Sequence, residues 1–396
     1  MLHWISQTVA VTALNIRTIP RRLGSSGVAI IGIAGVVVVL VSVLSIAAGF
    51  TAVMQESGSP VRALVMRSGA DSEMTSGVSG SEADLIRQAP GIRRDGQTAL
   101  ASAELYVVID LPKKSTNSAA NVPMRGVEPT VLGVRDNVSM VEGRMLTFGT
   151  SEIVVGRGAS AQFAGLGLGS ELRSGQNGWQ VVGIFEADGG VAETEIWGDA
   201  RVMQGAYRRG NSYQLVTARL DSSDTFDTFR DWLTANPQLN VQVRRETEYY
   251  AQQSQALSTL IRGVGFGIAA LMGIGAVFGA ILTMYTAVST RSREIATLRA
   301  LGFDASSVVV SVMAESLALA AIGGAIGGLI AYLAFNGYQT STMNFQTFSQ
   351  VAFAFHVTPA LLAMGLGYAL LMGLIGGIFP AIRAARLPIP TALRQL

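Results

Sequence analysis

Four apolar runs sort the chain's charges into two populations, and this constrains the fold more than any other feature. The first run, Gly27–Phe50, is uncharged; residues 51–262 are ordinary polar sequence. Three further runs, Gly263–Val288, Val308–Phe335 and Pro359–Ile382, fill the C-terminal third. Each is long enough to cross a hydrocarbon core of ~30 Å at ~1.5 Å per residue. Backbone groups find no water in lipid, so only helices and closed barrels span it. The sequence therefore predicts an α-helical membrane protein with four transmembrane helices. A large mixed α/β domain is inserted between helices 1 and 2.

Composition supports this division. Charged residues make up 14% of the chain, against ~25% in a soluble domain. Residues 51–262 hold 20 Lys and Arg and 24 Asp and Glu; the rest of the chain holds nine Arg and three acids. The net charge of +2 thus combines a mildly acidic domain with basic membrane flanks. That pattern gives no argument for a nucleic-acid module, which needs a basic face, and no nucleic-acid partner is expected. The absence of cysteine excludes disulfides, thiol catalysis and zinc–thiolate sites.

The flanking charges predict orientation. Arg17, Arg21 and Arg22 precede helix 1, Arg291, Arg293 and Arg299 lie between helices 2 and 3, and Arg383, Arg386 and Arg394 follow helix 4. The loop Asn336–Thr358 has no Lys or Arg. The positive-inside rule puts both termini and the 291–306 loop in the cytoplasm, and the large domain outside. The first apolar run is too long for a signal-peptide core. The expected segments are a surface helix at 1–25, helix 1 at 26–50, a periplasmic core at 51–244 and a helical stalk at 245–262. Helix 2 follows at 263–290, a coupling helix at 291–307, helix 3 at 308–335, a short outer loop at 336–358, helix 4 at 359–382 and a cytoplasmic tail at 383–396. In the first segment Leu2, Ile5, Val9, Ala13 and Ile16 form one helical stripe, with Val11 and Leu14 off it. Trp4 and the arginines suit a helix lying on the membrane surface; packing on a partner protein fits the same pattern.

The inserted domain reads as mixed α and β. Tyr106–Asp110, Glu152–Val155, Trp179–Phe185 and Gln214–Leu220 are short β-rich runs between turn residues. Ser81–Gln88 and Thr225–Ala235 read as helices, and the small polar stretch Met74–Ser81 as a flexible loop. Arg245–Arg262 has no Pro or Gly and runs into helix 2, which predicts one continuous stalk.

Catalytic signatures are missing. Lys114-Ser115 mimics the end of a phosphate-binding loop but lacks the preceding glycine. Gly165, Gly167 and Gly169 do not complete a dinucleotide fingerprint. His3 and His356 are the only histidines and fall on opposite sides of the expected topology. There is no Gly-x-Ser-x-Gly or His-Glu-x-x-His, and Glu193 and Glu195 read as an ordinary charge pair. No catalytic residue, no metal site and no cofactor bound by this chain is expected.

The segment Thr290–Phe303 stands out. It reads as a short amphipathic helix, with Ile295, Leu298 and Leu301 on one face, Arg291, Arg293, Glu294 and Arg299 supplying charge, and Gly302 as its C-terminal stop. Within the spans, Glu315 is an ionisable residue ~10 Å into helix 3. A hydrogen bond to a neighbouring helix is its plainest role. Gly323, Gly324, Gly327 and Gly328 give two overlapping Gly-x-x-x-Gly steps, with others at Gly275/Gly279 and Gly373/Gly377. Small residues permit close helix approach, within one subunit or at a dimer seam.

The 290–303 segment resembles the coupling segment of the MacB-like (FtsX-like) permeases of type VII ABC transporters, R-x-R-E-I-[AG]-x-L-[RK]-A-L-G. The tail Pro380–Arg394 is similar to the family's P-x-x-x-A-A-x-x-x-P-x-x-A-L-R. Val122–Pro129, Glu142-Gly143-Arg144, Glu152–Gly156 and Val181–Phe185 look like its periplasmic core, whereas Met66–Ser81 shows no likeness. The resemblance implies a mechanotransmission permease of the bacterial inner membrane, split from its ATPase and itself non-catalytic. It assigns ATPase coupling to Arg291, Arg293, Glu294, Ile295, Thr297, Leu298, Arg299, Leu301, Gly302 and Phe303. Implied partners are two cytoplasmic ABC ATPase subunits that bind the ATP and Mg, and a second permease chain, a homodimer in preference to a heterodimer. An efflux-type member adds a periplasmic adaptor and an outer-membrane channel. The implied work is efflux or extrusion of a substrate from the periplasm or outer leaflet. Activation of an extracytoplasmic hydrolase, as by FtsX-like proteins, and lipoprotein release are the alternatives.

Overall fold

The computed structural model describes residue 4, residues 7–13 and residues 23–389. It divides into a helical unit (Met1–Ala48, Thr259–Tyr338, Phe355–Leu396) and an α/β unit (Gly49–Ser258, Gln339–Ala354). In chain order the helices used below are α1 (Leu23–Ser57), α2 (Gly80–Ile86), α3 (Phe226–Ala235), α4 (Glu246–Thr290), α5 (Ser292–Ala300), α6 (Ala305–Phe335) and α7 (Pro359–Ala385). The strands are β1 (Arg62–Arg67), β2 (Ala101–Pro112), β3 (Ala119–Val127), β4 (Ser139–Gly143), β5 (Glu152–Gly156), β6 (Glu171–Ser174), β7 (Asn177–Glu186), β8 (Ile196–Asp199), β9 (Leu215–Arg219), β10 (Val241–Arg245), β11 (Gln339–Met343) and β12 (Gln350–Ala354).

Among the described residues of the chain, four helices, α1, α4, α6 and α7, are long and apolar enough to cross a membrane. Glycines set their packing in the helical unit. A methyl group on Gly323 would lie 2.9 Å from the Ile30 carbonyl oxygen, and one on Gly327 2.5 Å from that of Ala34, so α6 lies backbone-close to α1. Gly324 and Gly328 turn instead to Ala369 and Leu362 of α7, and Gly373 and Gly377 return the contact to Ala320 and Ser316. Ser316 Oγ donates to the Gly373 carbonyl at 2.7 Å, and Tyr368 donates to the Ala269 carbonyl at 3.0 Å. Such close approach maximises dispersion contacts where lipid supplies no hydrophobic drive. Gly275 and Gly279 differ: among the described residues, added methyl groups there would meet nothing within 4 Å. At the start of α7, Thr358 Oγ1 accepts from Leu361 N, and Pro359 occupies the first turn, where its missing N–H costs nothing.

The N-terminal stripe is only partly described, because Leu2, Ile5, Ile16, Arg17, Arg21 and Arg22 lie outside the described residues, as does Arg394. Residues 7–13 are helical, with Val9 62% exposed and Val11 buried, the reverse of a stripe that packs on the chain. Polar contacts decide the facing: Thr8 Oγ1 donates to Ser307 Oγ at 3.1 Å and Trp4 Nε1 to Ser306 Oγ at 2.8 Å.

The α/β unit is built on a ten-stranded mixed sheet in the order β10-β1-β9-β2-β3-β8-β5-β7-β4, with β6 paired to β7. The β3–β8 and β5–β7 pairs are parallel; the other pairs are antiparallel. α3 buries Phe226, Phe229 and Leu233, spaced as one helical face. The four short β-rich runs all fall on strands, and both expected helices form.

Two expectations for this unit are overturned. Met74–Ser81 is not a loose loop: it holds a 3-10 turn (Glu73–Thr75), a short strand (Val78–Ser79) and the start of α2. Ser79 and Glu82 close a capping box there. Residues 336–358 are not a plain loop either, since β11 and β12 pair as an antiparallel hairpin. The hairpin packs on the unit through Ala352 N to Thr194 Oγ1 at 3.0 Å, Tyr106 OH to Ser349 Oγ at 3.0 Å and Asn344 Nδ2 to Gln253 Oε1 at 2.7 Å.

Candidate functional site

Ser292–Ala300 forms α5, one residue after α4 ends at Thr290. Its stop is a Schellman motif: Gly302 takes a φ of +92°, Phe303 N donates to the Leu298 carbonyl at 3.1 Å, and Gly302 N to that of Arg299 at 3.1 Å. Any side chain at 302 would be strained in this left-handed conformation.

The ten candidate coupling residues separate into inward and outward groups. Ile295 is buried in a core with Met284, Val288, Val308 and Val312. Leu298 is half-buried beside a cavity of ≈ 440 Å³ that Glu294 and Thr297 also line. Arg291 is buried and bonds Glu315 of α6 at 2.9 Å, so its guanidinium is turned into the helical unit. Arg299 is half-buried and donates to the Ala385 carbonyl at 2.5 Å. Arg293, Glu294, Thr297, Leu301 and Gly302 are exposed, Leu301 at 72%, and Phe303 is half-exposed. Leu301 thus does not share the buried face with Ile295. Because α6 begins at Ala305, Glu315 sits ~15 Å along it, and its ion pair is to Arg291, the residue between α4 and α5, rather than to a residue within a neighbouring helix.

At the other end of α4, a buried charge network gathers in the α/β unit. Arg125 on β3 bonds Glu195 through two nitrogens, both at 2.7 Å, and bonds Glu73 and Glu104 at 2.7 Å each. Arg135 reaches Glu104 at 3.1 Å and Glu246, the first residue of α4, at 3.2 Å. Arg62 of β1 also bonds Glu246, and Ser59 N donates to it at 3.0 Å. Trp197 Nε1 donates to Glu195 at 2.8 Å, and Glu73 N donates to the Tyr249 hydroxyl of α4 at 3.2 Å. All seven ionisable groups are buried.

Four carboxylates therefore face three guanidinium groups. Fully ionised, the cluster would carry one uncompensated negative charge in a low-dielectric interior. Burial pushes the Glu73 carboxyl above its ordinary value, against the pull of Arg125. Burial also acts to raise Glu104, but Arg135 and Arg125 outweigh it and hold that carboxyl below its ordinary value. The two groups have opposite linkage. Glu73 binds its proton more tightly folded than unfolded. Its contribution is complete below 4.5 and is lost as pH rises through the raised folded value. The Glu104 contribution is present above 4.5 and is lost as pH falls through the lowered one. Relative to the unaltered chain, Glu73→Gln is thus expected to gain stability as pH rises above about 4.5, whereas the Glu104→Gln penalty is already present there and fades only as pH falls below about 4.5. Urea midpoints on both sides of that pH test this; a Glu73→Gln difference that does not move with pH contradicts the assignment.

Comparison with known sequences bears on both features. Residues 26–236 match the family model of the MacB-like periplasmic core domain, and residues 266–389 that of the FtsX-like permease C-terminal region. The chain belongs to the MacB/FtsX-like permeases. No curated protein matches it at a significant level. Among solved structures, this permease is similar to the extracellular domain of the noncanonic ABC-type transporter YknZ from Gram-positive bacteria. Identity is 14% over 46% of the permease and 99% of that chain, with a TM-score of 0.35. It is also similar to the periplasmic region of MacB from Actinobacillus actinomycetemcomitans, with 12% identity over 49% and 92% and a TM-score of 0.37. A domain of a putative permease from Porphyromonas gingivalis aligns with 13% identity over 46% and 85%, at a TM-score of 0.30. The family assignment rests on the two family models.

The permease's candidate coupling segment is visible in its sequence, whereas its charge network is not. Glu73 lies in Met66–Ser81, where the sequence by itself shows no family likeness, although the matched periplasmic-core model spans that stretch. The only sequence-level hint was the concentration of Arg and Glu within β-rich segments such as Glu104 and Arg125, where burial demands a partner.

Proposed function

We propose that this permease is a non-catalytic subunit of the bacterial inner membrane that turns ATP hydrolysis by two separate cytoplasmic ATPase subunits into movement of its extracytoplasmic α/β unit. A second permease chain completes the assembly, and ATP and Mg belong to the ATPase. The work is efflux or extrusion of a substrate from the periplasm or outer leaflet, with an adaptor and outer-membrane channel as outer partners. One observation carries the reading: α4 is unbroken from Glu246 to Thr290, with the charge network at its first residue and α5 directly after its last. A continuous helix transmits displacement along its axis, whereas a flexible linker would dissipate it.

The exposed residues of α5 are the test. Glu294→Ala and Leu301→Asp remove outward-facing groups and disturb no core contact. Each is expected to weaken association with the ATPase about tenfold, as loss of an interface anchor does, while the permease still inserts. Ile295→Asp should instead impair folding of the helical unit. Normal complex formation and normal coupled hydrolysis in both surface variants would remove α5 as the docking element.

A further inference from the structure

The ends of α4 and α7 enclose a groove of ≈ 510 Å³ lined by Tyr285, Phe379, Ile382, Arg383, Arg386 and Leu387, among others. Its chemistry is lopsided. Arg383 stacks over the Tyr285 ring, 5.2 Å from its centroid, and both Arg383 and Arg386 are exposed. Among the described residues, neither guanidinium has a carboxylate within 4.0 Å. Few acids are at hand: outside residues 51–262 the chain has only Glu294, Asp304 and Glu315, and Glu315 is bonded to Arg291. The rest of the lining is apolar. From Ile382 an exposed apolar track continues along α7 through Ile378, Ile375 and Leu371. At helical rise it extends ~16 Å, close to half of a ~30 Å hydrocarbon core, the depth of one leaflet. Two cations at the mouth of a track one acyl chain long are complementary to a single type of molecule. Long basic side chains at span ends meet lipid headgroups in this way.

We propose that this groove binds an anionic phospholipid, with Arg383 and Arg386 holding the headgroup phosphate and the α7 track receiving an acyl chain. The proposal rests on α4 and α7 spanning a bilayer and not on coupling to an ATPase.

The test uses the full chain, purified and delipidated in detergent, with lipid binding read by native mass spectrometry. Phosphatidylglycerol is expected to be retained in preference to phosphatidylcholine. Arg386→Gln alone, an exposed substitution that removes no internal contact, should weaken retention about fivefold, and Arg383→Gln with Arg386→Gln further still. Arg293→Gln, at an exposed arginine elsewhere, should leave retention unchanged. Inorganic phosphate at millimolar concentration should not displace the lipid; displacement would mean that the groove recognises free phosphate and would overturn the acyl-chain part. Equal retention of both lipids, or full retention by the double variant, would overturn the whole. So would weakened ATPase association in that variant with lipid retention unchanged, since the groove would then be a protein contact. None of these readouts depends on hydrolysis, so failure of the coupling reading leaves them interpretable.

Discussion

Arg125→Met is expected to unfold the α/β unit under conditions in which the unaltered permease is stable. Arg125 contacts Glu73, Glu104 and Glu195, all buried, and its ring neighbour Tyr106 lies 5.2 Å away. Ionic pairs in an interior add little net stability when intact, because desolvation offsets attraction. Removing one partner is different: the carboxylates stay buried and lose their cation, at a cost of ~3–5 kcal/mol. Most domains have only ~5–15 kcal/mol in total. Here three acids lose one shared guanidinium, so the cost should lie at or above the upper end. Lysine is no remedy, since an ammonium cannot reproduce the two parallel bonds to Glu195. The measurement is urea denaturation of the full chain, followed by tryptophan fluorescence, because Trp197 bonds Glu195 directly. An Arg125→Met midpoint within error of the unaltered chain would contradict the view that the network holds the unit together.

Helix and network differed in how far they could be read in advance, for a physical reason. A membrane span is a local property: run length and lack of charge suffice, and α1, α4, α6 and α7 fall on the four apolar runs. The stop of α5 was also local, because only glycine readily takes the left-handed conformation found at Gly302. The pairing of Glu73 with Arg125 is non-local, joining a 3-10 turn to a strand 52 residues away in the sequence. Nothing in Met74–Ser81 signals such a partner, so small polar residues read as flexible where they are in fact pinned. The β11–β12 hairpin was missed because its strands are short and its role depends on packing against Thr194 and Tyr106. Arg291 carried a coupling assignment by motif, and only the tertiary structure turns it inward to Glu315. Gly275 and Gly279 match the same spacing as Gly323 and Gly327, yet spacing alone cannot say that one pair meets a helix and the other, among the described residues, makes no close contact.

The second large effect concerns α4 itself. Gln255→Pro should disconnect events at α5 from the α/β unit. Gln255 is exposed, so its side chain contributes no core packing. Proline there removes the bond to the Ala251 carbonyl and clashes with it, at ~3 kcal/mol, and kinks or breaks the helix. In the sequence, the network at Glu246 precedes the break and the core around Ile295 follows it, so both units are expected to stay folded. Gln255→Ala, which favours a helix, is the matched control. The decisive measurement is a paired assay on the reconstituted complex: ATP hydrolysis, and transport or activation of the outer partner, for both variants. Force transmission through α4 predicts that Gln255→Ala retains both activities. It also predicts that Gln255→Pro assembles and hydrolyses ATP while outward function falls to background. Normal outward function in an assembled Gln255→Pro complex with a demonstrably kinked α4 would contradict it.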